Sequence, residues 1–229
     1  MHSKGEPENA SETVLANIMC HMNKSTRLIS KKNFYQMVQI YSLKKGLKAF
    51  GNRAKQAAYK EMSQLHRRMV FKPVKVETLT LQERKRAMES LMFLVEKRDK
   101  SIKARTVANG STQRPYTPKE EAASPTAATY SIFVTATIDA KQNRDVMTLD
   151  IPNAFVQTEV PQKKGDEKII MKIRGSLVDM LLEISPGTYE DYVVYEKGQK
   201  VLYVQMLMAL YGMMKASLLY YNKFRKDIE

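Results

Sequence analysis

Apolar and polar residues alternate along this chain in two different rhythms, and the switches between them outline its elements. Residues 1–30 are polar with little periodicity and read as a poorly ordered arm. Phe34, Met37, Val38 and Tyr41 then recur at helical spacing. Ala54, Ala57, Ala58, Met62, Leu65 and Met69 line one face over 53–70, with Lys55, Lys60, Arg67 and Arg68 largely elsewhere, and Pro73 ends that helix. Thr80 followed three residues later by Glu83 is a capping-box pattern and predicts a short helix. Residues 91–97 and 102–108 are rich in apolar and β-forming side chains, and Asp99-Lys100-Ser101 between them predicts a turn, so the pair reads as an antiparallel hairpin.

Residues 114–125 carry three prolines and read as a loop. Ser124 with Pro125 behind it is a helix-start signal for a mostly apolar helix over 127–140. Residues 145–150 are expected to form a strand that Pro152 stops. A further strand over 168–173 and a helix over 177–184 follow. Next come a second hairpin, 192–196 and 201–205, and a final helix from 215 onward carrying Leu218, Leu219, Tyr221 and Phe224. No internal repeat occurs. Antiparallel hairpins with segregated helices place the chain in the α+β class. Three regions are expected: the polar arm at 1–30, a basic helical region over 31–89, and the remainder, 90–229.

Composition changes this picture in one respect. The hydrophobic share of 43% and charged share of 27% are ordinary for a folded domain, but the net charge is +14. Through residue 110 there are 23 basic and 9 acidic residues, and the remainder holds 15 of each. Between Lys24 and Lys75, 14 basic residues face a single acid, Glu61. Such a field draws polyanions, with nucleic acid first among them. The alternatives are a solvated basic surface or, more weakly, a membrane surface, for which the basic helices show no excess of apolar exposure. One cysteine, Cys20, excludes an internal disulfide, and with His2, His21 and His66 it does not make a zinc knuckle. No apolar run is long enough to span a bilayer, and the N-terminus has no apolar stretch of the secretory kind, so an intracellular, non-secreted protein is expected.

The candidate chemistry lies in three blocks. Lys103 and Arg105 alternate with Ala104, so both should point from one strand face, where Arg105 offers a hydrogen-bonding fork and Lys103 a point charge to a triphosphate. Leu149-Asp150-Ile151-Pro152-Asn153-Ala154-Phe155 places a carboxylate after a β-prone run and an aromatic ring five residues later. Nucleotidyl transfer uses carboxylates of that kind to hold two Mg²⁺ ions about 4 Å apart; taken alone, Asp150 reads first as a turn cap. Leu210-Tyr211-Gly212 joins an aromatic and a glycine just before the last helix.

Taken in order, these blocks resemble the reverse transcriptase domain of copia-type LTR retrotransposon polyproteins. That family reads K-A-R-L-V-A-K-G-x-x-Q, then L-D-V-x-x-A-F-L-x-G, then L-x-x-x-L-Y-G-L-K-Q; here the blocks are 103–113, 149–158 and 207–215, and the resemblance runs over roughly 50–229. It implies a right-hand polymerase with fingers and part of a palm, acting on an RNA template, a DNA primer and deoxynucleoside triphosphates, without a membrane. Asp150 would be the catalytic, metal-binding aspartate and the Ile151 carbonyl a further Mg²⁺ ligand. Lys103, Arg105, Ala154 and Phe155 would meet the incoming nucleotide, Phe155 as the ring that clashes with a ribose 2′-hydroxyl. Gln113, Leu210, Tyr211 and Gly212 would border the template. Thr106, Asn109, Pro152-Asn153 and 213–215 depart from the pattern. The family's aromatic-x-Asp-Asp turn has no counterpart, since no Asp-Asp pair occurs in the 229 residues. The chain is therefore expected to be a C-terminally truncated copy, inactive alone. A non-enzymatic basic nucleic-acid-binding protein is the other expectation.

Overall fold

The computed structural model describes residues 40–162 and 168–229. These residues fold as a mixed α+β structure, and the seven strands among them form one connected sheet. The structure opens with β1 (Ile40–Ser42), α1 (Leu43–Phe50) and α2 (Asn52–Arg67), then β2 (Phe71–Pro73) and α3 (Leu81–Arg86). The central hairpin is β3 (Met88–Glu96) and β4 (Ile102–Ala108). After it come the short α4 (Lys119–Ala122), α5 (Thr129–Lys141), β5 (Ile170–Arg174), α6 (Ser176–Ile184), α7 (Pro186–Tyr189), β6 (Val193–Glu196), β7 (Gln199–Met206) and α8 (Ala216–Ile228).

Strand β3 joins the two halves of the sheet. Its later residues pair antiparallel with β4 and β1, and Met88 and Glu89 pair in parallel with β5. Strand β7 is the other hub, antiparallel to β5, β6 and β2, and Val201 through Met206 are buried. Both hairpin turns use the left-handed backbone that tight reversals need: Lys100 at φ +65°, and Lys197 and Gly198 at +50° and +77°. The capping box on α3 forms in full, with Thr80 Oγ1 accepting from Glu83 N–H at 3.1 Å and Glu83 Oε2 accepting from Thr80 N–H at 2.8 Å. The core gathers the apolar face of α2 (Ala54, Ala58, Met62, Leu65), the inner sides of β3, β5 and β7, and Val178 and Leu181 of α6.

Four sequence expectations need correction. Tyr41 lies in strand β1, paired with Leu94 of β3, not in a helix; Phe34, Met37, Val38 and the polar arm at 1–30 fall outside the described residues. The loop over 114–125 contains a 3-10 turn (Gly110–Tyr116) and α4. The apolar helix starts at Thr129, so Ser124 and Pro125 do not begin it. Residues 145–150 form no strand. No neighbouring strand pairs with them among the described residues, and an isolated β-prone run keeps its backbone groups in water.

Candidate functional site

Strand β4 carries the alternation that the sequence predicts. Ala104, Thr106 and Ala108 are buried, and Lys103 and Arg105 are exposed. Because β4 is bonded only to β3 among the described residues, its outer edge carries no strand pairing among them. Glu61 of α2 fills one place on that edge: its Oε1 accepts the Thr106 N–H at 2.9 Å. Burial pushes the Glu61 carboxyl above its ordinary value, against the opposing pull of the Thr106 hydrogen bonds and the charges of Arg105 and Lys103. The lone acid of the basic segment thus stands beside the two candidate triphosphate cations.

The three sequence blocks meet immediately after β4. Ala108 N–H donates to the Tyr211 carbonyl at 2.7 Å, and the Gln113 side chain accepts the Met214 N–H at 2.9 Å. Ala209 N–H donates to the Thr158 carbonyl at 2.7 Å, and Val160 N–H to the Leu207 carbonyl at 2.8 Å. Two glycines permit this approach. A Cβ on Gly110 would strike the Gly212 carbonyl oxygen, and one on Gly212, itself at φ +88°, would strike the Ala108 carbonyl oxygen.

Side chains continue the junction. The Arg105 guanidinium lies over the Tyr211 ring, 4.6 Å from its centroid. A face-on contact of this kind leaves the edges of the guanidinium free to donate. Tyr211 packs against Phe155 at 4.8 Å between centroids, tilted by 56°. Phe155 begins a 3-10 turn (Phe155–Gln157), reached through a sharp bend at Asn153, φ +57°. Thr158 Oγ1 donates to the Ala154 carbonyl at 3.2 Å and closes that turn.

Not every candidate joins in. Leu210 is 1% exposed, so its side chain belongs to the core and only its backbone can face a ligand. Asp150 and Ile151 are exposed in irregular chain, and no hydrogen bond or ion pair among the described residues ties the Asp150 carboxylate to the junction. A carboxylate and a carbonyl are the hard oxygen donors that Mg²⁺ takes, and they suit an ion completed by water and phosphate oxygens. No group of three His, Cys, Asp or Glu side chains suited to a metal occurs among the described residues.

A cavity of about 540 Å³ adjoins the junction, bounded by Gln113, Tyr116, Val160, Lys215 and Leu219. The Arg86 guanidinium covers the Tyr116 ring at 3.8 Å, and Lys215 pairs with Glu121 at the cavity wall. Two further residues reach the site from α8: Tyr220, edge-on to Phe155, and Phe224, stacked on Tyr220. In the sequence Phe224 is one of the apolar positions of the last helix, and no local signal marks Tyr220. Glu61 is signalled only by its isolation among 14 basic residues.

Compared with known proteins, the chain matches no family model, no curated protein and no solved structure. Among the described residues no helix is long and apolar enough to cross a membrane.

Proposed function

We propose that this chain is a copia-type reverse transcriptase module, with the β3–β4 hairpin as fingers and the β5–β7 region as part of a palm. The observation that carries the reading is the junction itself. Blocks at 103–113, 149–158 and 207–215, far apart in the chain, are joined by short backbone hydrogen bonds and by the Arg105–Tyr211–Phe155 contact. Residue types suited to triphosphate, sugar and base thereby share one place.

In this reading Lys103 and Arg105 orient the triphosphate of an incoming deoxynucleotide, and Phe155 presents its ring to the sugar and rejects a 2′-hydroxyl. Tyr211, Gly212 and Gln113 border the nascent pair and the template, Gln113 being pinned by Met214 N–H. Asp150 and the Ile151 carbonyl would hold Mg²⁺, which when bound supplies charge stabilisation for attack of a primer 3′-hydroxyl on the α-phosphate.

The test reads complex formation, not turnover. The chain is mixed with an RNA template annealed to a DNA primer, Mg²⁺ and each of the four deoxynucleoside triphosphates. The nucleotide complementary to the templating base is expected to tighten primer–template binding, and Lys103→Ala with Arg105→Ala to cut that gain about tenfold or more. Equal effects of all four nucleotides defeat the polymerase reading.

A second reading has its own observation. Lys44, Lys45, Lys48, Lys55, Lys60, Arg67 and Arg68 are all exposed along α1, α2 and the turn behind α2. Exposed cations of this density suit nucleic acid held through phosphates alone. Binding that falls steeply with salt and ignores nucleotides favours it.

A further inference from the structure

Phe155 sits on a three-residue 3-10 turn, directly after a bend, with no helix or strand ladder running through it. A backbone of that kind does not fix the tilt of a ring by itself. The neighbours do. Tyr211 packs against the ring, covered in turn by Arg105. Tyr220, from a different segment, also meets it, 6.0 Å away and edge-on at 74°. Tyr220 is stacked on Phe224, one helical turn further along α8, at 5.9 Å and 21°. Arg105, Tyr211, Phe155, Tyr220 and Phe224 therefore make an unbroken series drawn from four segments of the chain.

Excluding one extra hydroxyl by steric clash needs a wall that stays in place. A ring with a single neighbour swings aside and admits the larger sugar; a ring held by two neighbours from different segments does not. Tyr211 supplies one of those contacts. Resting on the polymerase reading of Phe155, we propose that Tyr220, braced by Phe224, is a positioning residue that fixes the Phe155 ring and so sets the preference for 2′-deoxynucleotides over ribonucleotides. Tyr220 acts through Phe155, not by touching the nucleotide.

The experiment uses the full chain with an RNA template–DNA primer whose templating base is uridine, in Mg²⁺, and measures affinities for dATP and ATP. Wild type is expected to prefer dATP by about tenfold or more. Tyr220→Ala and the bulkier Tyr220→Leu should bring the ratio to within about threefold, mainly because ATP binds better. Tyr220→Phe keeps the edge-on ring and should keep the ratio. A second readout needs no nucleotide: with 4-fluorophenylalanine at position 155, the fluorine resonance should broaden or shift towards the free value in Tyr220→Leu and stay put in Tyr220→Phe. An unchanged dATP-to-ATP ratio in Tyr220→Ala and Tyr220→Leu, or a fluorine signal indifferent to all three, overturns the positioning role and leaves the gate in Phe155 intact. Wild type that binds dATP and ATP equally overturns the gate itself, and the role of Tyr220 with it.

Discussion

Phe155 and Phe133 are both aromatic residues amid apolar neighbours, and the chain treats them in opposite ways. Phe155 is half-buried, in contact with Tyr211 and Tyr220 at a place where three distant segments are hydrogen-bonded together. Phe133 lies on α5, is 68% exposed, and has Tyr130, Ile132, Val134 and Ile138 exposed around it. Helices apolar on every side are ordinarily enclosed. Here α5 and the irregular chain behind it, through Val146, Met147 and Leu149, stand open among the described residues. The difference lies in partners. At the junction backbone groups of Ala108, Ala209 and Val160, and the rings of Phe155, Tyr211 and Tyr220, have counterparts from elsewhere in the sequence. Around α5 the local pattern makes a helix, and nothing described closes over it.

The sharpest way to break the comparison is at Gly212. Its φ of +88° disfavours any other residue, and an added Cβ would meet the Ala108 carbonyl oxygen, a backbone atom with little freedom to retreat. Conformational strain of about 1–3 kcal/mol and overpacking of about 1–3 kcal/mol together predict that Gly212→Ala loses about 2–6 kcal/mol of stability. Urea unfolding checks this. A loss under about 0.5 kcal/mol, the size of an ordinary surface change, would mean that the three blocks are not locked together there.

Much of the junction's scaffold was legible in the sequence, because its elements are local. The turn at Asp99-Lys100-Ser101, the reversal at Lys197-Gly198, the capping box of Thr80 and Glu83, and the helix over Ser176–Ile184 each follow from residues within a few positions of one another. The alternation that exposes Lys103 and Arg105 was legible for the same reason. What escaped depends on long-range pairing. Nothing near Gly110 announces that Gly212 will press against it, and nothing near Tyr220 announces Phe155. Residues 145–150 have the composition of a strand, but a strand is a property of two segments, and the second is missing among those described. Asp150 is expected at the end of that strand and lies instead in exposed irregular chain.

Glu61 offers a smaller, pH-resolved probe of how the junction is buttressed. Burial raises its carboxyl above the ordinary 4.5. Below about pH 4 the group is protonated in both folded and unfolded chains and contributes no difference. As pH rises through 4.5 the unfolded chain gives up this proton first, the folded chain holds it longer, and folding stability falls until the raised folded value is passed. Gln in its place keeps an oxygen for the Thr106 N–H and has nothing to titrate. The stability of Glu61→Gln relative to wild type should therefore grow from pH 4 upward and then level off, as read from urea midpoints at each pH. A difference that shrinks over the same range would show that Lys103 and Arg105 outweigh burial at this carboxylate.

The smallest expected effect lies in the open region and tests its openness directly. Phe133→Ser and Met147→Ser remove large side chains that are 68% and 77% exposed. Little burial is lost, and Phe and Ser differ little in helix propensity. Each substitution should shift the unfolding free energy by less than about 0.5 kcal/mol, beside the several lost at Gly212. Amides of α5 should exchange with solvent far faster than those of β7, since local opening there uncovers no core. A loss of about 2 kcal/mol or more from either substitution, the scale of a buried side chain, would mean that the region is covered in solution. Repeating the measurement across protein concentration then identifies the cover, because only a second copy of the chain makes the stability concentration-dependent.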